Sequence, residues 1–388
     1  MFNSWVEVDV DKLKHNINTI KQAIHPNTEI MAVVKDDAYQ LGAIYITEKL
    51  IETGIKYFAV ANINEACELK AAFEDIEVLI LSHIQEEDFD KAIDKEIIIS
   101  VSTLEEGKNL NSHAEKIGKK AKVHIKVDTG MNRIGFKYNS EDIKDMNEVF
   151  GLEHLEVLSI YSHYSSADVD TEYTNYQKEQ FDLFYNAIDE KYRKTVKRHI
   201  NNSASVGDNR DTDYDFIRPG IIMYGYDVRK VNKKTELDLK PIMEMKAKIT
   251  HIKNLDSGEA IGYGHTFSTS HPSTIATIAI GYGDGYSRRL SNKFHVLVNG
   301  EYAPIVGNIC MDQTMIDITG IENVEIGSDA VLIGKDGINE ISIEEVAEEL
   351  SEIPYTILCQ IQKRVTRVYM ENNKMCAYEN YYEGLIRN

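Results

Sequence analysis

The sequence predicts a (β/α)8 TIM-like barrel followed by a β-rich C-terminal domain. Over about the first 230 residues, short β-branched runs alternate with longer stretches of helical period, the pattern of a parallel sheet with crossover helices. Eight such units over this length favour a closed barrel over an open doubly wound sheet, and no GxGxxG follows the first run. From about Lys240 the texture changes to short strands separated by turns, which marks a second domain. The expected boundary gives a barrel over 1–235 and a β-rich domain over 236–388.

Taken in order, 30–34 (IMAVV) reads as a buried strand followed by a helix over 43–52. The next strand is 57–61 (YFAVA), then a helix from Asn64, whose side chain suits an N-cap. Runs at 78–81, 97–101, 123–127, 157–161 and 199–201 continue the strands, with helical period between them, as in 176–188. In the second domain, 245–252, 275–280, 295–298, 302–306, 315–318 and 330–333 read as strands. Asn299-Gly300 is a hairpin signal there, and only 343–350 looks helical.

Composition narrows the function. The chain has 388 residues, 43% hydrophobic and 27% charged, as expected of a globular enzyme of two domains. Its formal net charge of −20 repels polyphosphate backbones and anionic lipid, which argues against nucleic-acid and membrane partners. The N-terminus lacks the basic patch and apolar run of a secretory signal, and no stretch approaches the roughly 18 apolar residues of a membrane span. Cys67, Cys310, Cys359 and Cys376 form no CxxC pair, so reduced thiols in a cytoplasmic protein are expected, with no metal site.

Barrel enzymes carry their chemistry where strands end. Lys35 ends IMAVV, Lys126 lies in VHIKVDTG with Arg133 shortly after, and His163 ends LSIYSH. Asn202 and Ser203 end HINNS, and Arg218 with Gly220 ends FIRPG. Singly, each has a plainer reading: a solvated lysine, a hydrogen-bonded rim histidine, an arginine paired with a carboxylate. Together they would share one rim. A lysine at a pocket mouth can form a Schiff base with an aldehyde. Ser203 and the backbone N–H groups around Gly220 and Ile221 could receive a phosphate without a Walker loop.

At this point the chain resembles the bacterial alanine racemases, barrel-fold pyridoxal-phosphate enzymes. The matching stretches are WVEVDVDKLKHNI (5–17), MAVVKDDAY (31–39), HIKVDTGMNRIGF (124–136), YSHYSSAD (161–168) and HINNSAS (199–205). They continue with IRPGIIMYG (217–225), IGYGHTF (261–267), AIGYGDGYSRRL (279–290) and VGNICMDQTMID (306–317). The resemblance implies that Lys35 carries pyridoxal 5'-phosphate and acts as one base, with Tyr263 as the opposite base. It implies phosphate contacts from Tyr39, Ser203, Gly220, Ile221 and Tyr355. Arg218 would face the pyridine nitrogen, His163 would lie beside the ring, and Asn202 and Leu81 would line the site. Arg133 matches a position at the phenolic oxygen, and Lys126 a lysine carbamylated in some relatives. Met311 and Asp312 match substrate-side positions, the former through its backbone N–H. Tyr282 and Arg288 match positions lining the mouth and supporting the tyrosine.

The resemblance further implies a homodimer in which the β domain of one copy completes the barrel site of the other. It likewise implies a small amino-acid substrate, alanine, and a supply of D-alanine for peptidoglycan. A free tyrosine titrates near about 10, so a base role for Tyr263 calls for a nearby cation, with Arg288 and His163 as candidates. The chain departs from the family at Asp36, Asp37, Gln40 and Leu41, where Ala-Asn and Gly-His are usual, at Asn132 in place of glycine, and at Asn308 in place of arginine. Rival readings are a racemase for serine or basic amino acids, a decarboxylase on the same fold, and a single-barrel cofactor carrier. Tyr263 and the Met311–Gln313 segment argue against the last two.

Overall fold

The computed structural model describes residues 2–207, 214–231, 233 and 235–387. These form two compact units, one of Leu13–Ala38 with Ala43–Lys240, the other of Met1–Lys12, Tyr39–Gly42 and Pro241–Asn388.

The first unit is the expected barrel. After β1 (Ser4–Asp9), which belongs to the other unit, its strands are β2 (Glu29–Val33), β3 (Tyr57–Val60), β4 (Glu77–Ile80) and β5 (Ile98–Val101). They continue with β6 (Ala121–Lys126), β7 (Leu155–Tyr161), β8 (Lys197–His199) and β9 (Phe216–Ile217). The eight pair in parallel in the order β8-β7-β6-β5-β4-β3-β2-β9. Closure between β8 and β9 rests on the Asn202–Arg218 bridge and on two backbone bonds, Asp215 N–H to the Arg198 carbonyl and Arg218 N–H to the Asn201 carbonyl, each 3.0 Å. The strands are buried along almost their whole length, as parallel strands covered by helices must be.

One expectation needs correction. The helix after β3 spans Ile63–Ala72 and is capped by Asn62, not Asn64. The Asn62 carboxamide oxygen accepts from the N–H groups of Asn64 (3.0 Å) and Glu65 (3.1 Å), while the Glu65 carboxylate reaches back to the Ala61 N–H at 2.7 Å. Asn62 thus satisfies two of the helix's orphan N–H groups from the extended backbone conformation of an N-cap residue. The helices Ala43–Glu52 and Thr171–Asn186 follow the apolar period, the latter capped by Asp170. No described helix is long and apolar enough to cross a membrane.

The second unit is strand-rich. It contains β10 (Met243–Leu255), β11 (Ala260–Ile261), β12 (Phe267–Ser268), β13 (Ser273–Ile278), β14 (His295–Val298), β15 (Glu301–Pro304), β16 (Thr314–Asp317), β17 (Asp329–Asp336) and β18 (Asn339–Ile341). The last three are β19 (Thr366–Glu371), β20 (Lys374–Asn380) and β21 (Gly384–Arg387). The long strand β10 runs antiparallel to β1, β13 and β17, and β1 also lies parallel to β19. Asn299 and Gly300 join β14 to β15 with φ of 50° and 80°, the two positive angles that a type I′ hairpin turn requires. Helix Ile343–Leu350 is accompanied by a second one, Pro354–Cys359, which the sequence reading missed; Pro354 opens it, where a proline's absent N–H costs nothing.

Replacing Asn62 by alanine is expected to lower stability by about 1 kcal/mol. Asn64→Ala should stay within about 0.5 kcal/mol. Urea titrations of both variants decide which asparagine caps the helix.

Candidate active site

The barrel's C-terminal rim is organised by Arg218. Its guanidinium is 3% exposed and meets no carboxylate among the described residues. Instead it donates to the carbonyls of Ser162 (2.7 Å) and Ile200 (3.3 Å), to Nδ1 of His199 (2.5 Å) and to Nδ1 of His163 (3.1 Å). An arginine only donates, so both Nδ1 atoms accept and both imidazoles carry their proton on Nε2. His199 passes that proton's hydrogen bond to Nδ1 of His124 at 3.0 Å, fixing a third tautomer. Burial, then the field of Arg218, holds His163 and His199 well below the usual histidine pKa. His124 is pushed down to about 3, by burial first and Arg218 second. Burial also lowers Arg218 itself, to about 10, which leaves it charged at neutral pH.

The other rim residues gather around this core. Lys126, at the end of β6, is 4% exposed, donates to the Val127 carbonyl at 2.9 Å and lies 5.2 Å from the Tyr161 ring centroid. Burial and the neighbouring Arg218, with Arg133 adding, push it down to about 7. Tyr161 stacks on His199 at 4.8 Å and 8°, and its hydroxyl contacts the Ser100 hydroxyl and the Leu81 carbonyl. Its burial raises the phenol to about 12. After burial, the causes that depress His163 are Arg218, Lys126, Arg133 and Lys35 in that order, so four cations bear on one imidazole.

At the next strand end, the Ser203 hydroxyl accepts the Gly220 N–H at 2.8 Å, and Asn202 holds the Tyr164 carbonyl and the Ala204 N–H. The N–H of Ile221, a fully buried residue, has no partner among the described residues. The plainer reading of Arg218 as half of an ion pair is therefore overturned. His163, held neutral, would act on a tyrosine through a hydrogen bond rather than through charge.

Lys35 opens a helical turn, Lys35–Gln40, in which Asp36, Asp37, Ala38, Tyr39 and Gln40 all have φ between 52° and 64°. A left-handed turn of non-glycine residues costs about 1–2 kcal/mol per residue, so its surroundings must impose it. The Asp36 N–H is held by the Glu65 carboxylate (2.9 Å), and the Asp37 carboxylate accepts the Ala43 N–H (2.7 Å). The departure residues are thus structural partners of the turn.

In the second unit, Arg367 donates to the Gln40 carbonyl (2.8 Å) and its side-chain oxygen (3.3 Å), and the Tyr369 hydroxyl to the Leu41 carbonyl (3.2 Å). Gly42, at φ 92°, leaves no room for a Cβ against the Tyr369 hydroxyl. The rings of Tyr39 and Tyr355 lie 6.0 Å apart. Tyr263 is 73% exposed, and its carbonyl accepts from the side-chain amide of Asn308 at 2.7 Å, so the residue found in place of an arginine now holds the Tyr263 turn. Met311, Asp312, Tyr282 and Arg288 are exposed, and Arg288 opposes the burial that pushes the Cys310 thiol up. Asn132 has φ 55°, the conformation that asparagine tolerates, with its N–H on the Asp128 carboxylate at 3.0 Å.

Sequence reasoning missed His199, His124, Tyr161 and Arg364. Strand periodicity offered a signal for one of them, since His124 lies two residues before Lys126 and shares its face of β6.

Comparison with known proteins agrees with this architecture. Residues 8–228 match the family model "Alanine racemase, N-terminal domain", and residues 242–369 match "Alanine racemase, C-terminal domain". An alanine racemase of Clostridium novyi (strain NT) is 40% identical over 379 residues, 97% of this chain and 98% of the relative. The solved alanine racemase of Clostridium difficile 630 superposes with a TM-score of 0.94 at 36% identity, covering 98% of this chain and 99% of that one. That of Bartonella henselae, described with covalently bound pyridoxal phosphate, gives 0.84 at 31% identity, covering 95% and 99%. Fold and site define an isomerase built from a parallel barrel and a strand-rich domain. The chain belongs to the alanine racemase family.

Folded Lys126 loses its proton near pH 7, whereas an unfolded lysine holds its own up to about 10.5. The folded state binds fewer protons across that window, so the penalty of burying this amine is full below pH 7 and fades as pH rises towards 10.5. Lys126→Met is therefore expected to be more stable than the parent at pH 7, by roughly 1.4 kcal/mol for each unit by which the pKa is depressed. The advantage should shrink by pH 10; denaturation midpoints at the two pH values check it.

Proposed function

We propose that the chain interconverts L- and D-alanine with pyridoxal 5'-phosphate, using Lys35 and Tyr263 as bases on opposite faces of the substrate. The observation that carries the reading is the hydrogen-bonded set at the strand ends, in which Arg218 donates to His163 and His199 and the Ser203 hydroxyl holds the Gly220 N–H. The rim suits a phosphorylated cofactor, because the buried Ile221 N–H has no acceptor among the described residues and Ser203, which accepts from Gly220, keeps its own hydroxyl proton to donate.

In this reading Lys35 would hold the cofactor covalently, and Ser203, Gly220, Ile221, Tyr39 and Tyr355 its phosphate. Arg218 would meet the ring nitrogen, Leu81, His163 and Asn202 the ring, and Arg133 the phenolic oxygen and substrate. When bound, pyridoxal phosphate supplies the electron sink that makes an amino acid's α-proton removable. On one face of Cα Lys35 takes the proton as an amine or returns it as an ammonium, and on the other Tyr263 does so as a phenolate or a phenol, so the centre inverts without the substrate turning over. Arg218, still charged at neutral pH, orients without giving up its proton. The Met311 N–H and Asp312 serve the substrate side; Lys126, Tyr282 and Arg288 support the bases.

A phenol 73% exposed in the single chain is poorly placed to act as a base, which supports a homodimer whose strand-rich domain (236–388) completes the partner's barrel site (1–235). Four free cysteines are compatible with the cytoplasm, where D-alanine would be made for peptidoglycan.

Lys35→Ala and Tyr263→Phe should each abolish racemisation, and borohydride should fix the cofactor to Lys35 in the parent. Mixing the two inactive variants through unfolding and refolding should recover about a quarter of parental activity, because half the dimers are mixed and each holds one intact site. No recovery, with both variants dimeric, contradicts the shared site.

A further inference from the structure

Three stretches of the strand-rich unit interlock around Arg364. The GYGDGY segment, 281–286, lies against the Cys310–Gln313 loop through two backbone bonds, Tyr282 N–H to the Cys310 carbonyl (3.0 Å) and Gly283 N–H to the Met311 carbonyl (2.8 Å). A Cβ at Gly281 would collide with the Cys310 and Met311 carbonyls, and one at Gly285 with the Gln360 carbonyl, so these glycines permit the approach. Asp284, almost fully buried, uses one carboxylate oxygen to hold the Gly281 N–H at 2.8 Å, and its backbone carbonyl accepts the Gln362 N–H at 3.0 Å.

Arg364 ties the assembly together. Its Nε donates to the other Asp284 oxygen at 2.7 Å and its Nη2 to Asp312 at 2.5 Å, while its side chain stays 48% exposed. The Cys310, Met311 and Gln313 carbonyls are engaged, yet the N–H groups of Met311 and Asp312 have no partner among the described residues. A loop with two successive unpaired N–H groups attracts an anion. A free carboxylate at Asp312 would repel one, and the ion pair with Arg364 neutralises and turns aside that charge.

We propose that Arg364 is the positioning residue for recognition of the substrate carboxylate: by bridging Asp284 and Asp312 it fixes the 310–313 loop with its free N–H groups available to the anionic end of the amino acid. The inference rests on the reading of Met311 as a substrate-side residue. It predicts that the guanidinium fork matters, because a lysine is a point charge that serves two carboxylates less well.

Steady-state kinetics on the cofactor-loaded enzyme test it. Arg364→Ala should raise KM for both alanine enantiomers by about 10–100-fold with kcat within about threefold, the signature of lost ground-state binding. Competitive inhibition by propionate should weaken in parallel, and Arg364→Lys should fall between the two. An unchanged KM and propionate inhibition constant in Arg364→Ala, even with a lowered melting temperature, overturns the proposal. If Arg364→Ala does not fold, Arg364→Lys decides it on the same KM criterion. Met311→Pro, which removes an N–H without touching Arg364, separates the two claims. A raised KM there with parental values in the Arg364 variants refutes only the positioning role. Parental KM in Met311→Pro refutes the substrate-side reading itself.

Discussion

A buried guanidinium with no carboxylate partner among the described residues is the constraint from which the barrel rim follows. Desolvating a cation is costly unless every donor finds an acceptor. Through Nη1 and Nη2, Arg218 meets part of that demand with carbonyls just beyond β7 and β8 and with two imidazoles. The imidazoles can accept only while neutral, so one arginine determines the charge and tautomer of His163 and His199 and, through His199, of His124. The rim's positive charge then resides on Arg218, Arg133, Lys35 and the partly deprotonated Lys126, a setting suited to an anionic aromatic ligand.

The turn after Lys35 is a second constraint, of conformation rather than charge. Five successive left-handed residues would not persist in an isolated peptide. Two of the side chains that depart from the family's usual stretch make local bonds there: the Asp37 carboxylate receives the Ala43 N–H, and the Gln40 side-chain oxygen meets Arg367. Asn308 likewise exchanges a charge for a hydrogen bond to the Tyr263 carbonyl.

Much of this was legible in the sequence because strand runs and helical period are local signals. The seven barrel strands first read as runs each lie within two residues of the observed elements, and the Asn-Gly hairpin lies where its dipeptide indicates. What escaped was non-local. Helix Pro354–Cys359 is only six residues long, too short to display a period, and β19 to β21 lie among polar residues that hide their alternation. Asn64 and Asn62 are equally good caps by residue type; the bonds from the Asn64 and Glu65 N–H groups to the Asn62 side chain distinguish them. The rim arginine and histidine could be named from their places at strand ends. Their neutral and charged states could not, since those depend on contacts between strands far apart in the chain.

The state of the buried histidines tests the account most directly. Imidazole nitrogen-15 chemical shifts of histidine-labelled enzyme, recorded from pH 5 to pH 8, should show His163, His199 and His124 neutral throughout, each with its proton on Nε2. If His163 or His199 titrates as an imidazolium within that range, or carries its proton on Nδ1, Arg218 does not organise the rim in the way described.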